Sequence, residues 1–260
     1  MFTSDQEARL RQIISSSLDR AELHWKNGGH LLVARAAFDS AEMMSESLES
    51  ERSHIPGHPI IREDETIIDD FIAFVADMRN STNHLLTAIS PKKADVSTLQ
   101  RVFYETSALL PSLAYTVKLN EGNVTEYLGD GVLALFKVDQ DSPSSAIYSA
   151  HDSAKKAIGP MRDILNEILR KRYRLPEIDL GVGLAYSKAI VSLVGLPRER
   201  HPKVFGECVY RATKLSGGIN EVCVDDKVRA IWPTSKNGLI SFRTKIFKDV
   251  PGHIVYRKKE

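Results

Sequence analysis

The sequence predicts an α+β fold in which helices flank a largely antiparallel sheet. Residues 71–76 form a continuous apolar run rich in β-forming residues, which is typical of a strand buried on both faces. Gly129-Asp130-Gly131 separates two further β-like runs and indicates a tight hairpin. Helical patterns lie between and after these strands. The mixed order of helices and strands therefore favours α+β over a regular α/β alternation.

Length and composition are those of a soluble globular protein. The 260 residues are 42% hydrophobic, which is enough for a sizeable core. Lys plus Arg number 35 and Asp plus Glu 34, so the net charge of +1 excludes charge-driven binding to nucleic acid or membranes. The two cysteines are too few for a disulfide framework, and neither a signal peptide nor a bilayer-spanning stretch is evident. We therefore expect a cytoplasmic protein.

Residues 1–62 are predicted to be an N-terminal helical region followed by a linker. Ser4 and Glu7 have the spacing of a capping box, and apolar residues then recur at helical intervals. A second helix is predicted from about residue 33 to 48, which would complete a helical hairpin. Its apolar stripe must be covered by the next domain or by a partner subunit, and we expect it to support dimerisation. Pro and Gly between residues 53 and 65 predict a linker.

Residues 63–260 are predicted to form one α+β domain. Its helices are predicted at about 81–91, 96–119 with a break or kink at Pro111, 144–173 with a kink at Pro160, 206–217 and 226–231. Besides residues 71–76 and the hairpin, strands are predicted as a pair within 178–194, near 222, at 240–247 and at 254–257.

Two carboxylates and one helix start form the candidate site. Asp77 would emerge at the end of the buried strand, and Asp130 would lie at the tip of the hairpin. Ser81 and Thr82 would open a helix, where free N–H groups and the helix dipole favour a phosphate. If the strands are neighbours, the site suits a divalent metal shared with a triphosphate. Each feature alone also fits an ordinary helix cap or turn.

Five stretches, of which the first two form one combined motif, occur in the order expected for one enzyme family. They are F-I-A-F-V-A-D-M-R-N-S-T at 71–82 with E-Y-L-G-D-G-V-L-A-L-F at 126–136, D-L-G-V-G-L-A-Y-S-K-A-I-V-S-L-V-G at 179–195, V-F-G-E-C-V-Y-R-A-T-K-L at 204–215, and F-K-D-V-P-G-H-I-V-Y at 247–256. Together they resemble the class III nucleotidyl cyclase catalytic domain over about residues 65–257. The resemblance implies a ferredoxin-like sheet.

The resemblance also implies a metal and phosphate site. Two Mg²⁺ or Mn²⁺ ions would be bound by Asp77 and Asp130, with the Met78 carbonyl as a further ligand. The expected phosphate-binding residues are Arg79, Asn80, Ser81, Thr82 and, near the C-terminus, Lys248. A lysine on a surface strand would explain Lys248 equally well.

The base-reading and transition-state positions depart from the purine cyclases. Glu126 stands where adenylate cyclases carry Lys and guanylate cyclases carry Glu, and Lys203 stands where adenylate cyclases place Asp. The family's helix Asn and Arg fall on Tyr210 and Lys214, which share one helix face. Lys214 lacks the planar guanidinium fork, so Arg211 is an alternative. The adenine reader is thus absent and the guanine set is incomplete.

This combination is most similar to the bacterial pyrimidine cyclases of the Pycsar anti-phage systems. The predicted reaction converts UTP to 3′,5′-cyclic UMP and pyrophosphate. Alternatives are a cytidylate cyclase, a guanylate cyclase, and a degenerate homologue that binds nucleotide without chemistry. The resemblance implies a homodimer with two active sites at the subunit interface, with Asp77 and Lys214 of one site on different chains. It also implies a downstream cyclic-nucleotide effector.

Overall fold

The computed structural model describes residues 1–28, 50–63, 65–86, 94–234, 238–247 and 249–258. The predicted second N-terminal helix, the predicted helix end at Pro91 and Lys248 lie outside these residues. None of the helices in the described part of the chain combines the length and the apolar content needed to cross a bilayer.

The elements follow the mixed order predicted from sequence. The helices are α1 (Ser4–Lys26), α2 (Ser81–Leu86), α3 (Thr98–Lys118), α4 (Pro143–Lys156), α5 (Arg162–Tyr173), α6 (Glu207–Leu215) and α7 (Asp226–Ala230). The strands are β1 (Ser50–Arg52), β2 (Ile60–Arg62), β3 (Ile67–Met78), β4 (Asn123–Tyr127), β5 (Gly131–Lys137), β6 (Leu180–Val194), β7 (His201–Gly206), β8 (Glu221–Val224), β9 (Ile240–Phe247) and β10 (Val250–Arg257).

The main sheet has the order β4-β5-β3-β6-β8-β10-β9, with β7 pairing beside β6. Its pairs are antiparallel apart from β6 with β8, which is parallel. Strands β1 and β2 form a separate two-stranded antiparallel sheet. The largely antiparallel sheet flanked by helices confirms the predicted α+β class.

Strand β3 is buried on both faces, as its unbroken apolar run predicted. On one face Ile72 and Phe74 join a core with side chains from α1, α3, α4 and α5. On the other, Phe71 and Val75 pack with residues of α6 and with Ile55 and Ile61 of the β1–β2 hairpin. The predicted linker at 53–65 therefore contains a strand and three buried residues, Ile55, Pro56 and Ile61. The prediction was wrong because a short hairpin rich in Pro and Gly has the composition of a linker.

Helix α1 begins one residue earlier than the capping pattern predicted. The Thr3 hydroxyl accepts from the Gln6 N–H at 3.2 Å, and the Gln6 side chain accepts from the Thr3 N–H at 3.0 Å. The Ser4–Glu7 pair has the same spacing, so the local pattern permitted either start. The apolar stripe of α1 is buried against α3 of the same chain. The expected role of the N-terminal region in dimerisation stays a prediction.

The predicted helix around Pro111 was correct, whereas the strand pair predicted within 178–194 was wrong. Helix α3 confirms the predicted helix and runs through Pro111 without a break, and a kink at Pro111 stays a prediction. Residues 180–194 form one strand of 15 residues rather than a pair, since no turn residues interrupt their β-forming run. The pair is instead β6 with β7, joined by a turn at Gly195, whose φ of +138° favours glycine. The predicted kink at Pro160 is confirmed by a π-helical segment, Ala157–Met161, between α4 and α5.

Candidate functional site

The end of β3 meets the turn between β4 and β5. Asp77 pairs with Gly131 of β5 on one side and with Gly181 of β6 on the other. The Met78 N–H donates to the Asp130 carbonyl at 3.2 Å, which ties the turn to the strand end. A Cβ on Gly131 would lie 2.3 Å from the Ala76 carbonyl oxygen, so this close approach requires glycine. The expectation that the Asp77 and Asp130 strands are neighbours is confirmed.

Arg79 pairs with Asp77 and lies within the electrostatic field of Asp130. Its guanidinium pairs with the Asp77 carboxylate, whose side chain is 33% exposed. Burial lowers the pKa of Arg79, and the negative charge of Asp130 opposes that shift. The fields of both carboxylates thus converge on one cation.

That convergence fits a divalent cation held by Asp77 and Asp130. Carboxylate oxygens are ligands that Mg²⁺ and Mn²⁺ accept, usually in company with substrate phosphates. Within the described ranges, no cluster of three or more His, Cys, Asp or Glu side chains could hold a metal. Two carboxylates supply part of the coordination shell of such an ion, and substrate phosphates commonly supply more of it. The Met78 side chain is buried, so only the backbone of this residue suits the predicted ligand role.

The predicted phosphate-binding residues occupy the turn into α2. Asn80 has a φ of +57°, in the left-handed region. Its carbonyl accepts from the N–H groups of Asn83 and His84 at 2.9 and 3.2 Å, and α2 then begins at Ser81 as predicted. Ser81 is half-buried and Thr82 is exposed, which leaves the Thr82 hydroxyl open to a ligand.

A buried ionic network fastens α2 to α3. Glu105 is fully buried and accepts from Arg101 Nε at 2.8 Å. Its other oxygen lies 2.9 Å from His84 Nδ1 on α2. The i,i+4 spacing of Arg101 and Glu105 could have predicted their pairing on one helix face. No local pattern links this pair to His84. The network holds the helix that follows Asn80.

The predicted base-reading residues meet each other. Lys203 Nζ lies 2.9 Å from Glu126 Oε2, joining β7 to β4. The pair stands in a cleft of about 370 Å³. Its lining is completed by Arg52, His54, Ile55, Thr125, Tyr127, His201 and Pro202. Sequence reasoning missed Arg52 and His54, because they lie in the segment predicted as the N-terminal region and linker.

Helix α6 carries the predicted transition-state residues. Tyr210 is 59% exposed, and Lys214 Nζ lies 5.4 Å from the centre of its ring. Arg211 instead pairs with Glu207, which raises the pKa of Arg211. Lys214 is therefore better placed than Arg211 to meet a further anion.

Glycines on β6 bring α6 onto the sheet. A Cβ on Gly183 would lie 2.1 Å from the Ala212 carbonyl oxygen. The helix backbone therefore rests directly on the strand that pairs with β3.

In fold, the chain is similar to solved cyclase domains. It matches the adenylyl cyclase CyaB from P. aeruginosa with a TM-score of 0.59 and 15% identity, covering 75% of this chain and 97% of that one. For the guanylyl cyclase Cya2 the TM-score is 0.56 and the identity 16%, over 75% and 95% of the two chains. The guanylate cyclase domain of RhGC from Catenaria anguillulae, in complex with GTP, matches with a TM-score of 0.53 and 15% identity, covering 75% of this chain and 100% of that one.

No family model matches the sequence, and no curated protein matches it. The likeness is therefore one of fold, and it bears out the class III cyclase fold that the sequence motifs implied.

Proposed function

We propose that this chain is a nucleotidyl cyclase that converts UTP to 3′,5′-cyclic UMP and pyrophosphate in the cytoplasm. The observation that carries the proposal is that Asp77 and Asp130 lie at one edge of the sheet beside the turn into α2: the Met78 N–H donates to the Asp130 carbonyl, and Arg79 pairs with Asp77. Similarity in fold to adenylyl and guanylyl cyclase domains supports it. Fold alone does not assign an activity, so the site carries the proposal.

The reaction joins the ribose 3′-oxygen to the α-phosphorus. The bond from that phosphorus to the bridging oxygen breaks, and pyrophosphate leaves with the electron pair. Two Mg²⁺ or Mn²⁺ ions, when bound, would lower the pKa of the 3′-hydroxyl and neutralise the departing phosphates. Asp77 and Asp130 would hold these ions, with the Met78 carbonyl as a further ligand.

The remaining predicted residues would orient the triphosphate and stabilise charge. Arg79 would release Asp77 and meet the phosphates, together with the backbone and hydroxyls of residues 80–82 and with Lys248. Lys214 would stabilise charge that develops on the α-phosphate, as fixed cations do in phosphoryl transfer. Tyr210 would contact the ribose. Holding the 3′-oxygen against the α-phosphorus then lowers the entropic cost of reaching the transition state.

The base would be read by Lys203 and Glu126. Lys203 is a donor and Glu126 an acceptor, and uracil offers carbonyl acceptors next to an N–H donor. Their contact at 2.9 Å joins two side chains that are 37% and 29% exposed. An ion pair this exposed contributes about 0–1 kcal/mol to stability. A base that provides a new partner for each side chain can therefore separate them at little cost in free energy.

A homodimer would complete the site. Tyr210 is largely exposed on α6, so a second copy can present it, together with Lys214, to the metal residues of the first. Two equivalent sites would then form about a two-fold axis. The product would act through a cyclic-nucleotide effector in defence against phage. Expression of the protein with such an effector should reduce plaque numbers, and Asp77→Ala should restore them.

The direct test incubates the purified protein with Mn²⁺ and each of ATP, GTP, CTP and UTP, and identifies products by mass spectrometry. Cyclic UMP from UTP that is abolished by Asp77→Ala is the expected result. Absence of any product would favour a nucleotide-binding homologue without chemistry.

A guanylate cyclase is the second candidate, because Glu126 stands where guanylate cyclases carry Glu and because solved guanylyl cyclase domains share the fold. Cyclic GMP as the main product would favour this candidate and reject uracil specificity.

A further inference from the structure

The cleft around Lys203 and Glu126 contains more donors than acceptors. Arg52 on β1 and His54 in the loop that follows it face the same space as the pair, and His201 enters from β7. Arg52 and Lys203 can only donate hydrogen bonds, whereas Glu126 can only accept them. The cleft thus offers a ligand a carboxylate acceptor and at least two cationic donors.

Lys203 and Glu126 alone cannot choose among the four bases. Every base carries a donor and an acceptor side by side on its Watson–Crick edge. Uracil and guanine present a carbonyl acceptor next to a ring N–H donor, whereas cytosine and adenine present an amino donor next to a ring-nitrogen acceptor. Either arrangement can pair with one donor and one acceptor. A third group must decide which base binds.

We propose that Arg52 is the residue that selects uracil, an inference that rests on the proposed cyclase function. Uracil presents acceptor, donor and acceptor in a row, namely a carbonyl, the N3–H and a second carbonyl. Lys203 would donate to one carbonyl, Glu126 would accept from the N3–H, and Arg52 would donate to the other carbonyl. In the same orientation, guanine would place its amino donor against the Arg52 donor. Cytosine would place its amino donor against Lys203 and its ring-nitrogen acceptor against Glu126. A wrong base would leave the Arg52 donor facing another donor, and a polar group left unpaired in the complex disfavours that base.

The β1–β2 hairpin holds the backbone of Arg52 in place. Arg52 pairs with Ile60 in this hairpin. Ile55 and Ile61 are buried against β3, and His58 Nε2 lies 2.8 Å from Asp69 Oδ2 on β3 itself. The strand that carries Arg52 is thus anchored to the strand that carries Asp77. A donor on such a rigid element discriminates better than one on a loose loop.

The test compares base selectivity in wild type, Arg52→Ala and the matched control Arg62→Ala. Arg62 is exposed on the same hairpin and is not among the described side chains that line the cleft. Two quantities are measured for UTP, CTP, GTP and ATP: kcat/KM with Mn²⁺, and the dissociation constant by equilibrium dialysis. Arg52→Ala should lower the UTP-to-GTP ratio of kcat/KM and of affinity by about tenfold, the effect of one lost charged hydrogen bond. Arg62→Ala should leave both ratios unchanged, and Arg52→Lys should recover part of the loss.

Two results separate this inference from the proposed function. If wild type yields no cyclic product from any nucleotide, the cyclase proposal fails. The ratios of the dissociation constants still test whether Arg52 selects the base. If Arg52→Ala and Arg62→Ala both keep the wild-type ratios in turnover and in binding, Arg52 does not select the base. A wild type that prefers GTP in both measurements would overturn the inference as well.

Discussion

The strand end at Asp77 and the cleft at Glu126 are built in different ways. Asp77 is set by backbone pairing to Gly131 and Gly181, so it cannot shift without breaking the centre of the sheet. Glu126 and Lys203 are joined by their side-chain tips on strands β4 and β7, and both are partly exposed. The comparison indicates that the proposed metal site is rigid, whereas the Lys203–Glu126 pair of the proposed base site can adjust. Chemistry and specificity can then change independently.

The largest effect is expected at the rigid region. Asp77→Asn or Asp130→Asn should lower kcat by about a thousandfold or more, because charge stabilisation by a bound metal is worth several kcal/mol. Asp141→Asn is the control, since Asp141 is exposed beyond the far end of β5. Initial rates of pyrophosphate release measure the effect. Near-normal rates in both site variants would show that the two carboxylates do not hold a catalytic metal.

The next largest effect is expected at the Arg101–Glu105–His84 network, which ties α2 to α3 beside the rigid region. Glu105→Leu leaves the buried Arg101 without its partner and should lower the free energy of unfolding by about 3–5 kcal/mol. It should also raise the KM for the nucleotide, because α2 loses its tie through His84. Urea unfolding and steady-state kinetics measure the two effects. The exposed Glu121→Leu is a control. Equal stabilities of the two variants would show that the network is not stabilising.

Two glycines of one turn test how tightly the turn approaches β3. Gly131→Ala places a Cβ 2.3 Å from a backbone oxygen and should cost about 1–3 kcal/mol of stability together with activity. A Cβ on Gly129 would meet nothing within 4 Å, so Gly129→Ala should cost only the strain of its φ of +81°, about 1 kcal/mol. Thermal unfolding compares them. A larger loss for Gly129→Ala would contradict the close approach.

The smallest stability effect is expected at the adjustable region. Lys203→Ala, Glu126→Ala and the double variant should show a coupling free energy of unfolding below about 1 kcal/mol, because the pair is partly exposed. The relative turnover of the four nucleoside triphosphates should nevertheless change in each variant. A double-mutant cycle in urea measures the coupling. A coupling of several kcal/mol would mean that the pair is structural rather than a base reader.

Local patterns predicted most of the scaffold of the site. The apolar run before Asp77 predicted a strand buried on both faces, the Gly-Asp-Gly turn predicted the hairpin, and α2 begins at Ser81 as expected. The failures were also local. The two possible capping pairs at the N-terminus were equivalent in sequence, and the Pro and Gly residues of 53–65 concealed a hairpin packed on β3.

The sequence by itself thus determined the strand, the turn and the order of motifs that carry Asp77 and Asp130. These depend on side-chain periodicity and turn chemistry over a few residues. Only the tertiary structure decided that Lys203 meets Glu126, that Arg52 faces the same cleft, and that Glu105 reaches His84. Such contacts join residues far apart in the chain. They depend on strand order and on how helices pack on the sheet, which no local pattern encodes.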